Sequence, residues 1–348
     1  MPLPRPLSRP LKRDETGVAS TVGTIMALLV FLTFLSLIVN QYVPVWMKDS
    51  EAAHMNGAFG QFGTMKSGID FQILAATAAA QSGTQYVPVT TFAPVTLGVD
   101  GVPIFAGPTT GELKLLPDAA SWTLEFGYSI NGVTTKATDR SSGQVLLEVH
   151  NRYFVPQTLA YESGAVIRSQ VVGQAVRAEP SFAVTKTNST VAVAFTLISL
   201  FGTGGLTGTS TDGVTARLIG VDRQDYDTIR SSLWINHTTT FGPAWYGLFN
   251  DTFAKAFGVT PERFAPCPAV YCYTSAYTNN QPALIRVTTP HYDVRTNWSA
   301  SASTHYVVVE VKNDWQNLDP LGLAIGTIIV QHAYVNAAVG SAVKDVQV

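Results

Sequence analysis

The pattern of apolar and polar positions divides the chain at one place. From Val18 to Val39 the sequence runs VASTVGTIMALLVFLTFLSLIV, 22 residues without a charge, and no acidic or basic residue stands between Glu15 and Lys48. At about 1.5 Å of rise per residue a helix of this length reaches roughly 33 Å, enough to cross a hydrocarbon core of about 30 Å. The run predicts a transmembrane helix. Beyond it Met55, Ala58, Phe62, Met65 and Ile69 recur at alternating spacings of three and four, the seam of an amphipathic helix extending to about Gln81. Pro44 predicts a kink in that helix and not its end. Gly57, Gly60, Gly63 and Gly68 weaken it, at about 1 kcal/mol each relative to alanine. The stripe needs a cover, either the protein's own head or a neighbouring copy.

After Ser82-Gly83 the period changes to two. Tyr86–Val99 predicts an edge strand. Ser121–Ile130 places Trp122, Leu124, Phe126 and Tyr128 on one face, and Asn131-Gly132 supplies a hairpin turn. Runs at 144–149, 154–161, 165–171, 182–186, 190–200 and 213–221 follow, then 283–289, 304–313 and 325–338. Their spacing predicts a mainly antiparallel β-sandwich head with one short helix, Pro243–Phe257. The fold class expected is therefore α+β. The domains expected are a basic tail or leader over 1–17, a transmembrane helix and stalk over 18–81, and a β-rich head over 84–348. The last run, IGTIIVQHAYVNAA, is interrupted by Gln331 and His332 and belongs in a sheet interior and not in a membrane.

Charge adds an orientation. Arg5, Arg9, Lys12 and Arg13 lie among prolines just before the apolar run, while only Lys48 and Lys66 follow it over a comparable distance. The positive-inside rule puts the N-terminus in the cytoplasm and the head outside a cell membrane that the chain crosses once. Tyr42 and Trp46 suit the headgroup layer on the far side. Over the 348 residues the charged fraction is 13%, the hydrophobic fraction 46% and the net charge −2, which leaves no basic field for nucleic acid.

Candidate chemistry is sparse. Cys267 and Cys272, the only cysteines, sit in PCPAVYC. A pair this local reads as one disulfide in an oxidising compartment, with two unpaired thiols as the alternative. Asn188, Asn236, Asn250 and Asn297 open Asn-x-Ser/Thr sequons, all beyond the membrane run, and are candidate N-glycosylation sites. His291 and Asp293 with His305 are a conceivable cation set, and Asp222, Asp225 and Asp227 a solvated acidic loop without the glycine and glutamate of an EF-hand. FGTGGLTGTSTD, from Phe201, nearly spaces its glycines as a dinucleotide fingerprint and reads as a flexible surface loop. Trp122, Trp245 and Tyr271 are candidates for stacking on sugars. No nucleophile elbow and no His-Glu-x-x-His occurs, so the expectation is a non-enzyme without catalytic residues, metal site or cofactor.

The stretch Asp14-Glu15-Thr16-Gly17-Val18-Ala19-Ser20-Thr21-Val22-Gly23-Thr24-Ile25-Met26 resembles the N-terminal segment of archaeal type IV pilins and archaellins. The head is similar to uncharacterised archaeal pilin-like surface proteins at Asn151-Arg-Tyr-Phe, Tyr161-Glu-Ser-Gly-Ala-Val-Ile and Phe241-Gly-Pro-Ala-Trp-Tyr-Gly-Leu-Phe. That resemblance implies membrane insertion, leader processing between Gly17 and Val18, and self-assembly or assembly with other pilins through the apolar helix. The partners expected are the lipid bilayer, sibling helices and surface glycans. The function expected is a pilin-like surface protein, a minor pilus subunit, with a non-polymerising adhesin or glycan-binding protein as the alternative.

Overall fold

A computed structural model describes residues 15–102, 104–259, 283–298, 304–314 and 323–340. The N-terminal rod is α1 (Glu15–Leu37), a π turn at Ile38–Tyr42, and α2 (Val43–Gln81). Proline has no N–H to donate back along the helix and its ring presses on the preceding turn. At Pro44 the widened π turn comes just before it, and the rod continues. It stops at Gly83, whose φ of 68° is left-handed; there the Ser82 and Thr84 N–H groups donate to the Ala78 and Ala79 carbonyls at 3.0 and 2.9 Å.

Among the described residues seventeen strands form three sheets. The first runs β1 (Thr90–Thr96), β12 (Thr211–Asp227), β17 (Ala324–Val339), β10 (Thr190–Thr203), β9 (Phe182–Thr187). The second runs β11 (Gly205–Gly208), β2 (Gly111–Leu116), β5 (Gln144–Val149), β6 (Gln157–Glu162), β7 (Ala165–Gln170), β8 (Gly173–Ala178). The third runs β14 (Ala283–Thr288), β15 (Tyr292–Trp298), β16 (His305–Val311), β13 (Leu233–Thr239), β3 (Ser121–Ile130), β4 (Val133–Ser141). Pairing is antiparallel except for β10 with β17, which is parallel. A third helix, α3, spans Gly242–Phe257 and ends on Gly258 at φ 72°. Asn131 and Gly132, at φ 50° and 81°, make the two-residue turn between β3 and β4.

The first sheet is apolar on both faces and separates two cores. Ile328 and Val330 of β17 join Val193 and Phe195 of β10, the inner face of the third sheet and the aromatic face of α3. On the opposite face Ala333, Val335 and Ala337 join Val214, Ala216 and Leu218 of β12, with Leu113, Leu147 and Leu159 of the second sheet. Burial on both sides explains why β17 reads as a nearly unbroken apolar run.

The stripe on α2 closes the second of these cores. Met55, Phe62, Met65 and Ile69 are at most 3% exposed, against Ala93 and Val95 of β1 and Val214 of β12. The stalk's second half is therefore part of the head, and the cover is the head's own sheets. Two expected loops are strands. Phe201–Asp212 completes β10, forms β11 and opens β12; Gly202 comes so close to β17 that a Cβ on it would stand 1.9 Å from the Ala337 carbonyl oxygen. The acidic run Asp222–Asp227 lies on β12, paired with β17 from His332 to Thr327.

Candidate functional site

The rod exposes what the head does not cover. Val22, Ile25, Met26, Leu28, Leu29, Phe31 and Phe34 are each more than half exposed. An apolar surface of this kind marks a contact with lipid or with another chain. Its polar side chains turn back on the helix: Thr24 and Thr33 donate to the Thr21 and Val30 carbonyls at 2.9 and 2.7 Å, and Asn40 Nδ2 donates to the Ser36 carbonyl at 2.8 Å. This satisfies them without water, as a hydrocarbon setting requires. Tyr42 and Trp46 follow, about half exposed, with ring centroids 6.0 Å apart. Gly17 and Val18 lie in the first turn of α1.

The rod is locked to the head by Glu51, which no sequence pattern singles out. Its carboxylate is fully buried and accepts the Thr109 hydroxyl at 2.6 Å and the backbone N–H groups of Arg152, Tyr153 and Phe154 at 3.0, 2.9 and 2.6 Å. Burial alone would push the carboxyl up, but these four donors outweigh it and hold the group below its ordinary 4.5. Asn151 Nδ2 donates to the Val155 carbonyl at 3.0 Å and closes the turn that aims the three amides.

A second buried carboxylate, Glu162, ends β6. Its Oε1 accepts the Thr239 hydroxyl at 2.7 Å and the Trp245 indole N–H, and lies 2.7 Å from His237 Nε2. His237 Nδ1 is 3.1 Å from the Ser121 carbonyl, and the ring stacks on Trp122 at 4.2 Å. Asp139 and His332 make a further, partly buried contact of 3.2 Å between β4 and β17. These groups tie the sheets together inside the head, and the indoles seal Glu162 from solvent. Trp122 and Trp245 are 4% and 0% exposed, which removes both as sugar-stacking surfaces.

The conceivable cation set does not assemble. The Asp293 carboxylate is held by Arg286, whose Nε donates at 2.8 and 3.2 Å, and no group of three potential ligands occurs among the described residues. His291 packs on Phe257, 5.4 Å between ring centroids, and is pulled down by burial and by the charges of Lys186 and Lys312. Among the sequons, Asn188 is exposed in the β9–β10 turn at φ 55° and Asn236 is exposed on β13. Asn250 is buried in α3 and its Oδ1 accepts the Tyr292 hydroxyl at 3.2 Å, so the folded chain cannot present it to a saccharide. Asn297 lies on β15. Cys267, Cys272 and Tyr271 lie outside the described residues.

A groove of about 620 Å³ runs between the edges of β8 and β9 under α3, lined by Val176, Phe182, Val184 and Leu248. Two smaller depressions, about 440 and 210 Å³, flank Trp234 on the outer face of the third sheet. No family model, no curated protein and no solved structure matches this chain.

Proposed function

We propose that this chain is a membrane-anchored, pilin-like cell-surface protein. Its apolar rod stands in lipid or in a bundle of like helices, and its sheets, layered as a sandwich-like head, face outward. One observation carries the reading: a single rod, Ser20–Gln81, has an apolar window with no buried residue and a second half sunk into a folded head. A soluble protein gains nothing by extending so apolar a helix into water, whereas a bilayer or a helical bundle stabilises it. The basic tail sets the N-terminus inside, and Gly17-Val18 is the processing site that the likeness to pilin leaders suggests. The reading assigns the chain no catalysis.

The covered α2 stripe favours a second reading beside it, a non-polymerising anchored adhesin. With Met55 to Ile69 already packed on the head, sibling contacts are left to α1 and the outer face of α2. Two measurements separate the readings. Protease added to intact cells should digest the head, and mass spectrometry of surface material should find the mature terminus at Val18 if the chain assembles. An intact Met1 terminus in surface material favours the adhesin. A head shielded from protease, in a protein recovered from the soluble fraction, sinks both.

A further inference from the structure

The outer face of the third sheet carries a feature that no sequence motif indicated. On β13 the alternation places Leu233, Ile235 and His237 inside, with Trp234, Asn236 and Thr238 outward. Trp234 stands directly between Glu125 of β3 and Glu310 of β16, and Asn236 between Thr123 and Val308. Tyr306, 58% exposed, faces Thr238. The two depressions beside the indole are walled by Glu125 and Lys136 on one side and by Arg286, Asp293 and Glu310 on the other. Lys136 and Glu125 are 3.2 Å apart.

An apolar ring bordered by carboxylates and cations on an open sheet is chemistry suited to a saccharide. The C–H face of a pyranose covers the indole while its hydroxyls donate to the carboxylates and accept from lysine or arginine. Depressions this small hold a free sugar weakly. A sugar joined to the same strand is different, because tethering supplies an effective concentration in about the millimolar range without any further contact. Asn236 is such a tether. It is two residues from Trp234 and therefore on the same face, it is exposed, and it opens the sequon that Thr238 completes.

We propose that Asn236 carries an N-linked saccharide whose proximal sugars lie along Trp234 between Glu125 and Glu310. The donor is a saccharide joined through phosphate to a lipid carrier. The Asn236 amide nitrogen forms a bond to the anomeric carbon, the bond from that carbon to the phosphate oxygen breaks, the lipid phosphate leaves with the electron pair, and the amide loses one proton. Transfer precedes the pairing of β13 with β3 and β16, since the strand is closed on both sides once folded. The inference rests on the outward-facing head proposed above.

The test uses full-length protein purified from the membranes of cells that make it. Mass spectrometry of the peptide containing Asn236 should show a saccharide, lost in N236Q and T238A and retained in T238S. Hydroxyl-radical labelling of Trp234 should rise severalfold in N236Q relative to the native protein, with labelling of buried Trp245 unchanged. An unmodified Asn236 peptide overturns the proposal, as does a modified one whose loss leaves Trp234 labelling the same. Protease digestion of the head on intact cells is scored in parallel. A bare Asn236 on a digestible head defeats this inference alone, while a protected head defeats the surface reading.

Discussion

Phe154 donates its backbone N–H to Glu51 at 2.6 Å, joining residues 103 apart in sequence. The bond fixes the rod's position on the head, because the same carboxylate also takes the amides of Arg152 and Tyr153. Replacing Glu51 with alanine leaves these donors and the Thr109 hydroxyl buried without an acceptor, at a cost of about 3–5 kcal/mol. Denaturant unfolding of the detergent-solubilised protein checks the loss. A change below about 1 kcal/mol would show that water enters freely and that the clamp is unimportant.

Acid should release the same clamp. A carboxyl held lower in the folded chain than in the unfolded one contributes stability that is complete above its ordinary 4.5 and is lost as pH falls through the folded value. Stability of the native protein should fall below that pH more steeply than that of Glu51→Gln, which has no charge to lose there. Identical acid limbs would contradict the assignment.

At the alkaline end Tyr226 and Tyr292 set the limit. Burial raises both to about 12, helped by Asp139 near Tyr226 and by Asp251 near Tyr292. The neutral phenol is the form the fold favours, so their contribution is intact below pH about 10, the unfolded value. It disappears as pH rises through about 12. Absorbance titration should show Tyr226 and Tyr292 among the late tyrosines, beside Tyr161, which burial also raises, and their ionisation should coincide with loss of the near-ultraviolet dichroism of the head.

The two faces of α2 should answer differently to the same change. Phe62→Ala removes a fully buried ring and should cost about 3–5 kcal/mol, while Phe71, 69% exposed, should tolerate alanine within about 0.5 kcal/mol. Gly60→Ala meets nothing within 4 Å and should add up to about 1 kcal/mol through helix propensity. Gly202→Ala, at φ 120° and with its Cβ on the Ala337 carbonyl, should prevent the close pairing of β10 with β17. Thermal melts of the four variants give the comparison.

Cutting the chain at two places tests which part of the rod belongs to the head. A fragment of residues 43–348 keeps the buried stripe and should be soluble and folded. One beginning at 84 uncovers Ala93 and Val95 of β1 and Val214 of β12 and should aggregate or bind a hydrophobic dye. Size-exclusion chromatography and near-ultraviolet dichroism decide it. Equal behaviour of the two fragments would show that α2 adds nothing to the head.

What could be read from the sequence was what depends on near neighbours. The apolar run, the three-and-four spacing of Met55 to Ile69 and the Asn131-Gly132 turn each carry their cause within a few residues. What covers the stripe could not be read, because β1 and β12 reach it only through the fold. Glu51 looked like one more charge on a helix; its donors lie 58 and 101 to 103 residues on, and no local pattern joins them. Phe201–Asp212 looked like a loop because glycine marks loops, whereas Gly202 is needed for the approach to β17. Trp234 could have been found. Leu-Trp-Ile-Asn-His-Thr-Thr alternates, and a period of two puts the Trp234 indole outside, as it puts Trp122 of β3 inside.

The parallel partnership of β10 and β17 has a bearing on how the head is made. Thr196 donates a side-chain hydrogen bond to Gln331, 135 residues downstream, and β17 is inserted between two strands that are both synthesised long before it. Until it arrives β10 and β12 have no common neighbour, and each presents an open apolar border. Closing a loop of that length is slow relative to forming a hairpin. The chain must therefore carry its hydrophobic borders unsatisfied until β17 is synthesised, and through that interval it is open to aggregation.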